Sequence, residues 1–167
     1  MPESDLFALE SARGWLMLGD AGSALAELSR ISQQSRSHPE VLVVEWEIRS
    51  KLKDWKTAFE IAERLVHLVE QRAHGWILRA YAARRMPGGG LEKARELLLP
   101  ALEKFPENFL IPYNLACYAA QMGRIDEAWE FLCRAIKVGG RRTVLQMANS
   151  DPDLEPVRHR LEAGEDM

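Results

Sequence analysis

The feature that most constrains this chain is a set of residue columns that recur in phase along it. Aligning the pattern Gly-x-x-x-x-Ala pairs Gly19 with Ala24, Lys53 with Ala58, Gly89 with Ala94 and Gly123 with Ala128. The alanines lie 34, 36 and 34 residues apart. Two residues after the first position stand Ala21, Trp55, Leu91 and Ile125. Four residues after the alanine come Leu28, Ala62, Leu98 and Leu132, and three further on Ile31, Leu65, Ala101 and Ala135. Five columns in step at a period of about 34 are the mark of a repeat architecture.

Each unit reads as a helical hairpin. A first helix ends at the Gly, which reaches a left-handed backbone conformation without a Cβ clash. A second helix starts a residue or two later, with apolar positions at steps of three and four. The column alanine is small, which lets two helices approach closely where they cross. One such hairpin cannot bury its apolar face alone, so successive hairpins must stack and share a core. Two departures are expected to matter. The third unit needs extra residues, and Met86-Pro87-Gly88-Gly89-Gly90 supplies a longer turn. Pro100 falls inside the second helix of that unit, where it removes a backbone bond and predicts a bend.

The pattern resembles the tetratricopeptide repeat family, whose unit is a helix–turn–helix of about 34 residues. The fourth unit carries it best, with Tyr113-Asn114-Leu115-Ala116, Gly123, Ala128, Leu132 and Ala135. The third offers Trp76, Ala80, Gly89, Ala94, Ala101 and Pro106; the first offers Ala12, Gly19, Ala24 and a delayed Pro39. The second departs furthest, with Trp46 where a small residue belongs and Lys53 in place of Gly. The resemblance implies an all-α fold, a right-handed α-solenoid of four such units plus C-terminal capping helices. The expected boundaries within a single domain are 5–38, 39–72, 73–106 and 107–140. A capping segment follows at 141–163, with a helix from Arg141 to Met147 and a short final helix over 153–163 laid against unit four, and then a frayed tail at 164–167. Trp15, Trp55 and Trp129 are expected on the inward stripe or beside it, while Trp46 and Trp76 suit either a core or a binding surface.

Composition narrows the function classes. The chain is 47% hydrophobic and 28% charged, which is globular. A net charge of −3 gives no basic footprint for nucleic acid. The first residues show no secretory signal and no apolar window is long enough for a membrane span, so a cytoplasmic location is expected. Cys117 and Cys133 show no metal-ligand spacing and read as reduced thiols. Gly88-Gly89-Gly90 lacks the Lys-Ser/Thr of a phosphate loop and reads as a turn. His67 and His74 are separated by a turn near Gln71, with no carboxylate to complete a metal set. No catalytic, cofactor-binding or metal-binding residue is expected.

What the resemblance implies instead is a partner groove lined by the first helix of each unit, which receives a peptide or helix of another protein. Carried over residue by residue, the groove takes Leu9, Arg13, Leu16 and Met17 from unit one. Val43, Glu47, Ser50 and Lys51 come from unit two. Unit three gives His74, Ile77, Tyr81, Arg84 and Arg85, and unit four Tyr113, Asn114, Cys117 and Gln121. Tyr81 and Tyr113 offer flat amphipathic contact, and Lys51, Arg84 and Arg85 suit acidic groups. A peptide with an apolar residue and some acidic character is therefore the expected ligand. The family's clamp for a terminal carboxylate is not expected, because only Asn114 stands at a corresponding asparagine position and Glu10, Val44 and Leu78 stand at the others. The leading expectation is a non-catalytic scaffold or adaptor. A small chaperone for a secreted or assembling client, and a self-associating subunit forming a homo-oligomer, are the alternatives.

Overall fold

The computed structural model describes residues 1–163, and the expected tail at 164–167 lies outside the described residues. Among the described residues there are helices and turns and no strand. The chain divides into two compact units, Met1–Gly88 and Gly89 onward. The boundary falls in the Met86–Gly90 stretch, inside the third expected repeat. No described helix is long and apolar enough to cross a membrane.

The first compact unit holds α1 (Glu3–Met17), α2 (Ala21–Ser29), α3 (Pro39–Lys51), α4 (Trp55–Leu68) and α5 (Ala73–Arg85). Each helix packs on the next: α1 on α2, α2 on α3, α3 on α4 and α4 on α5. The helix starts follow local chemistry. Asp20 accepts from the Ser23 amide at 2.9 Å, and Asp54 accepts from the Thr57 amide at 3.3 Å. Each thereby satisfies a donor that the first helical turn leaves open. Between the paired helices the chain turns through positive φ, 82° at Gly19 and 59° at Lys53. Lys53 therefore adopts the conformation its column demands despite its side chain. Two core clusters result. One joins Ala8, Leu9 and Ala12 to Leu28, Ile31 and Val41, and the other joins Leu42 and Trp46 to Ala58, Ile61, Leu65, Leu78 and Ala82.

The second compact unit holds α6 (Leu91–Leu98), α7 (Ala101–Lys104), α8 (Leu110–Gln121), α9 (Ile125–Gly139), α10 (Arg141–Ser150), a 3-10 segment (Pro152–Val157) and α11 (Arg158–Ala163). Here α6 packs on α8, α8 on α9 and α9 on α10, and the 3-10 segment returns to cover α8. Pro100 stands between α6 and α7, and Leu99 and Pro100 keep right-handed helical dihedrals across the break. The glycine turn before α6 also differs from the simple register. Positive φ occurs at Gly88 (72°) and Gly90 (132°), and Gly89 is not among the positive-φ glycines. The expected single closing helix over 153–163 is a 3-10 segment followed by α11, because Pro156 sits inside its first part.

The repeat columns meet in the cores. Ala24, Ala58, Ala94 and Ala128 are all fully buried, as are Ala62, Leu98, Leu132, Ala101 and Ala135. Trp46 is buried too, in a site where Ala58, Ala62 and Ala82 leave room for the indole. Trp129 is buried as expected and Trp55 is half-buried. Trp15 is not inward: it is exposed, and so is Phe7. One repeat on from Phe7 the setting differs. Val41 is buried in one cluster with Leu28 and Ile31, residues of α2 and the turn after it.

Candidate binding groove

In the first compact unit the first helices of the repeats bring two residue columns to one side. Arg13, Glu47 and Tyr81 form one, and Met17, Lys51 and Arg85 the other, each at steps of 34. Between α1 and α3 they line a cleft of about 420 Å³ whose walls are Arg13, Leu16, Met17, Glu47, Ser50 and Lys51. Its lining is mostly apolar, with charges of both signs at its rim. Arg13 pairs with Glu10 and reaches Glu40 at 3.6 Å, which fixes its guanidinium at one edge. Met17 is 89% exposed. Leu9 is different: it is fully buried, and belongs to the core rather than to the groove. Val43 is half-buried, packed against the second core cluster.

At the ends of α3 and α5 lies an aromatic group. The Tyr81 ring meets Trp46 edge-on at 5.9 Å and Trp55 at 6.0 Å between centroids. The Arg85 guanidinium lies 3.6 Å above the Tyr81 centroid and 5.4 Å from that of Trp55. One of its nitrogens donates to the Tyr81 carbonyl at 3.1 Å. His74 is exposed at the start of α5, and Arg84 is half-buried. Trp46, whose role the sequence left open, is the floor under this group. Trp76 is half-buried with the Arg79 guanidinium 4.9 Å from its ring, while Arg79 reaches Glu63 at 3.7 Å.

The second compact unit treats its groove residues differently. Tyr113 and Cys117 are buried, and both point at Asp151. The Tyr113 hydroxyl donates to Asp151 Oδ2 at 2.9 Å, and Cys117 Sγ lies 3.6 Å from the same oxygen. Burial and this hydrogen bond push the Tyr113 phenol far above its ordinary pKa. Gln121 Nε2 donates to the Asp153 carbonyl at 3.0 Å, and Asn114 Nδ2 turns back to the Leu110 carbonyl at 2.7 Å. Leu154 and Val157 of the 3-10 segment are fully buried. The positions assigned to a partner from the resemblance are thus corrected for Tyr113 and Cys117: the chain's own C-terminal segment occupies them. The sequence reading laid the closing segment against unit four but still left these α8 positions to a partner, because α8 carries groove-type residues.

Asp151 and Asp153 together with Cys117 bring three potential ligand atoms within 4.8 Å of one another. Asp151 is already used, accepting from Tyr113 and from the Asp153 amide at 3.0 Å as the cap of the 3-10 segment. The cluster is therefore accounted for by capping. Both cysteines are free thiols, Cys117 buried and Cys133 half-buried, with burial raising the pKa of Cys133. His67 and His74 stand on different helices, α4 and α5, with the chain turning between them.

Helical hairpins whose small-residue columns interlock at a period of 34 define the tetratricopeptide-repeat fold, and this chain has it. Among solved structures, a thermophilic TPR protein of Thermus thermophilus, TTC0263, superposes with a TM-score of 0.69 at 20% identity, covering 92% of this chain and 86% of that one. The MamA RS-1 ArsTM double mutant gives a TM-score of 0.68 at 17% identity, covering 90% and 80%. MamA 41-end from Desulfovibrio magneticus RS-1 gives 0.51 at 16% identity, covering 83% and 97%. At these identities the likeness is one of fold. No family model matches the chain, and no curated protein matches it.

Proposed function

We propose that this protein is a non-catalytic interaction module that holds a segment of a partner protein along the first helices of its first compact unit. The observation that carries the reading is the cleft between α1 and α3. Six residues that the groove register assigns to partner contact line one concave space of about 420 Å³. Leu16, Met17 and the stems of Arg13 and Lys51 supply apolar area, and Glu47, Ser50 and the charged heads supply direction. Within the second compact unit the 3-10 segment packs over α8 instead.

The test replaces two exposed lining residues together, Met17→Asp and Lys51→Glu. Both side chains are solvent-exposed, so the variant is expected to melt within a few degrees of the wild type. Both proteins serve as baits in native lysate, read by mass spectrometry. A protein retained by the wild type and lost from the variant supports the proposal. Equal capture by both, or capture by neither, sinks it.

A further inference from the structure

We propose that Arg85, stacked over the ring of Tyr81 and beside that of Trp55, is a receptor for an acidic side chain of the bound segment. The inference rests on the groove reading above and adds the chemistry of the ligand. Several other arginines of this compact unit pair with acids of this chain. Arg13 has Glu10 and Glu40, Arg49 has Glu45 and Asp54, and Arg79 has Glu63. Arg85 has none among the described residues; its contacts are two aromatic rings and one carbonyl.

The geometry suits an incoming carboxylate. A guanidinium stacked on a ring spends its faces on the π system and keeps its N–H bonds in the plane, free for a forked pair. Only one nitrogen of Arg85 is committed, to the Tyr81 carbonyl. Stacking also fixes the side chain, so less freedom is lost when an acid arrives. Tyr81 is itself seated on buried Trp46 and beside Trp55, which holds the platform still. The local charge agrees. Lys51 ends α3 and Lys53 follows in the turn that leads to Trp55, and neither forms an ion pair among the described residues. An acid alone would be screened at such a surface, so an apolar neighbour must accompany it, and Tyr81 and Trp55 offer that contact. The ligand is therefore a peptide segment with Asp or Glu next to an apolar residue.

The experiment selects random peptides displayed on phage against the full chain and against Arg85→Gln. A selected acidic peptide is then labelled with fluorescein, and its affinity is compared with that of its Asn or Gln analogue. The wild type should enrich Asp and Glu beside apolar residues, and Arg85→Gln should lose that bias. The acidic peptide should bind Arg85→Gln about 10-fold more weakly, while the amide analogue binds both proteins alike. Arg85→Lys, which keeps the charge and loses the fork, should fall between, and it guards against misreading a folding defect. Peptides selected without acidic bias, or with a bias that survives Arg85→Gln, overturn the role of Arg85 and leave the groove intact. If the wild type selects no peptide at all, the groove reading falls and this one with it.

Discussion

At the scale of single residues, the turns and caps carry the sharpest physical statements. Lys53 stands at φ 59°, where two glycines of its column, Gly19 and Gly123, stand at 82° and 75°. A residue with a Cβ costs about 1–2 kcal/mol in that region. Lys53→Gly is therefore expected to stabilise the protein by about 1 kcal/mol in chemical denaturation, the greater freedom of glycine in the unfolded chain offsetting part of the gain. A loss of stability would mean that the lysine makes a compensating contact. Asp5 is a second case. It lies buried on α1, with Ser32 donating both its hydroxyl and its amide, the latter at 3.0 Å. These bonds, and one to Ser35, hold its pKa below the ordinary carboxylate range. A depressed folded pKa means the contribution is complete above the unfolded value, about pH 4, and fades as the pH falls through the folded one. Acid denaturation of Asp5→Asn should accordingly show a shallower loss of stability below about pH 4 than the wild type. Parallel curves would assign the acid sensitivity elsewhere.

At the scale of elements, the 3-10 segment after α10 closes the face of α8. Its Leu154 and Val157 are fully buried, and Asp151 takes the hydrogen bond of Tyr113. Burial of this kind makes the segment part of the core and not a removable strap. Leu154→Ala should cost about 2–5 kcal/mol, read from the shift in a urea transition with its slope unchanged. A cost below about 1 kcal/mol would mean the segment sits loosely on α8. The interruption at Pro100 belongs to the same scale. The proline was visible in the sequence, but the sequence could not say whether it would kink one helix or separate two.

At the scale of the whole molecule, both core clusters of the first compact unit are built from its own residues, Ala8 to Ile48 in one and Leu42 to Ala82 in the other. A fragment of residues 1–88 should therefore keep helical circular dichroism and melt cooperatively. A non-cooperative melt would show that its cores need residues from the rest of the chain. The cleft and the Arg85 platform both lie inside this fragment, so peptide binding can be measured on it once cooperative melting has been shown.

The repeat, its period and its buried columns were legible from residue identity, because small and apolar side chains at helical spacing have few ways to be buried. That is why Ala24, Ala58, Ala94 and Ala128 all lie in cores. The groove was legible only as a register. Tyr81 and Cys117 occupy the same column, yet Tyr81 is 36% exposed and Cys117 is 4% exposed. Trp15 and Trp129 are both tryptophans on amphipathic helices, and one is exposed while the other is buried. Local sequence determines which face of a helix a side chain occupies. What covers that face is a segment distant along the chain, such as 151–157 over α8. That is a matter of tertiary packing, so the structure alone decided which groove positions are open.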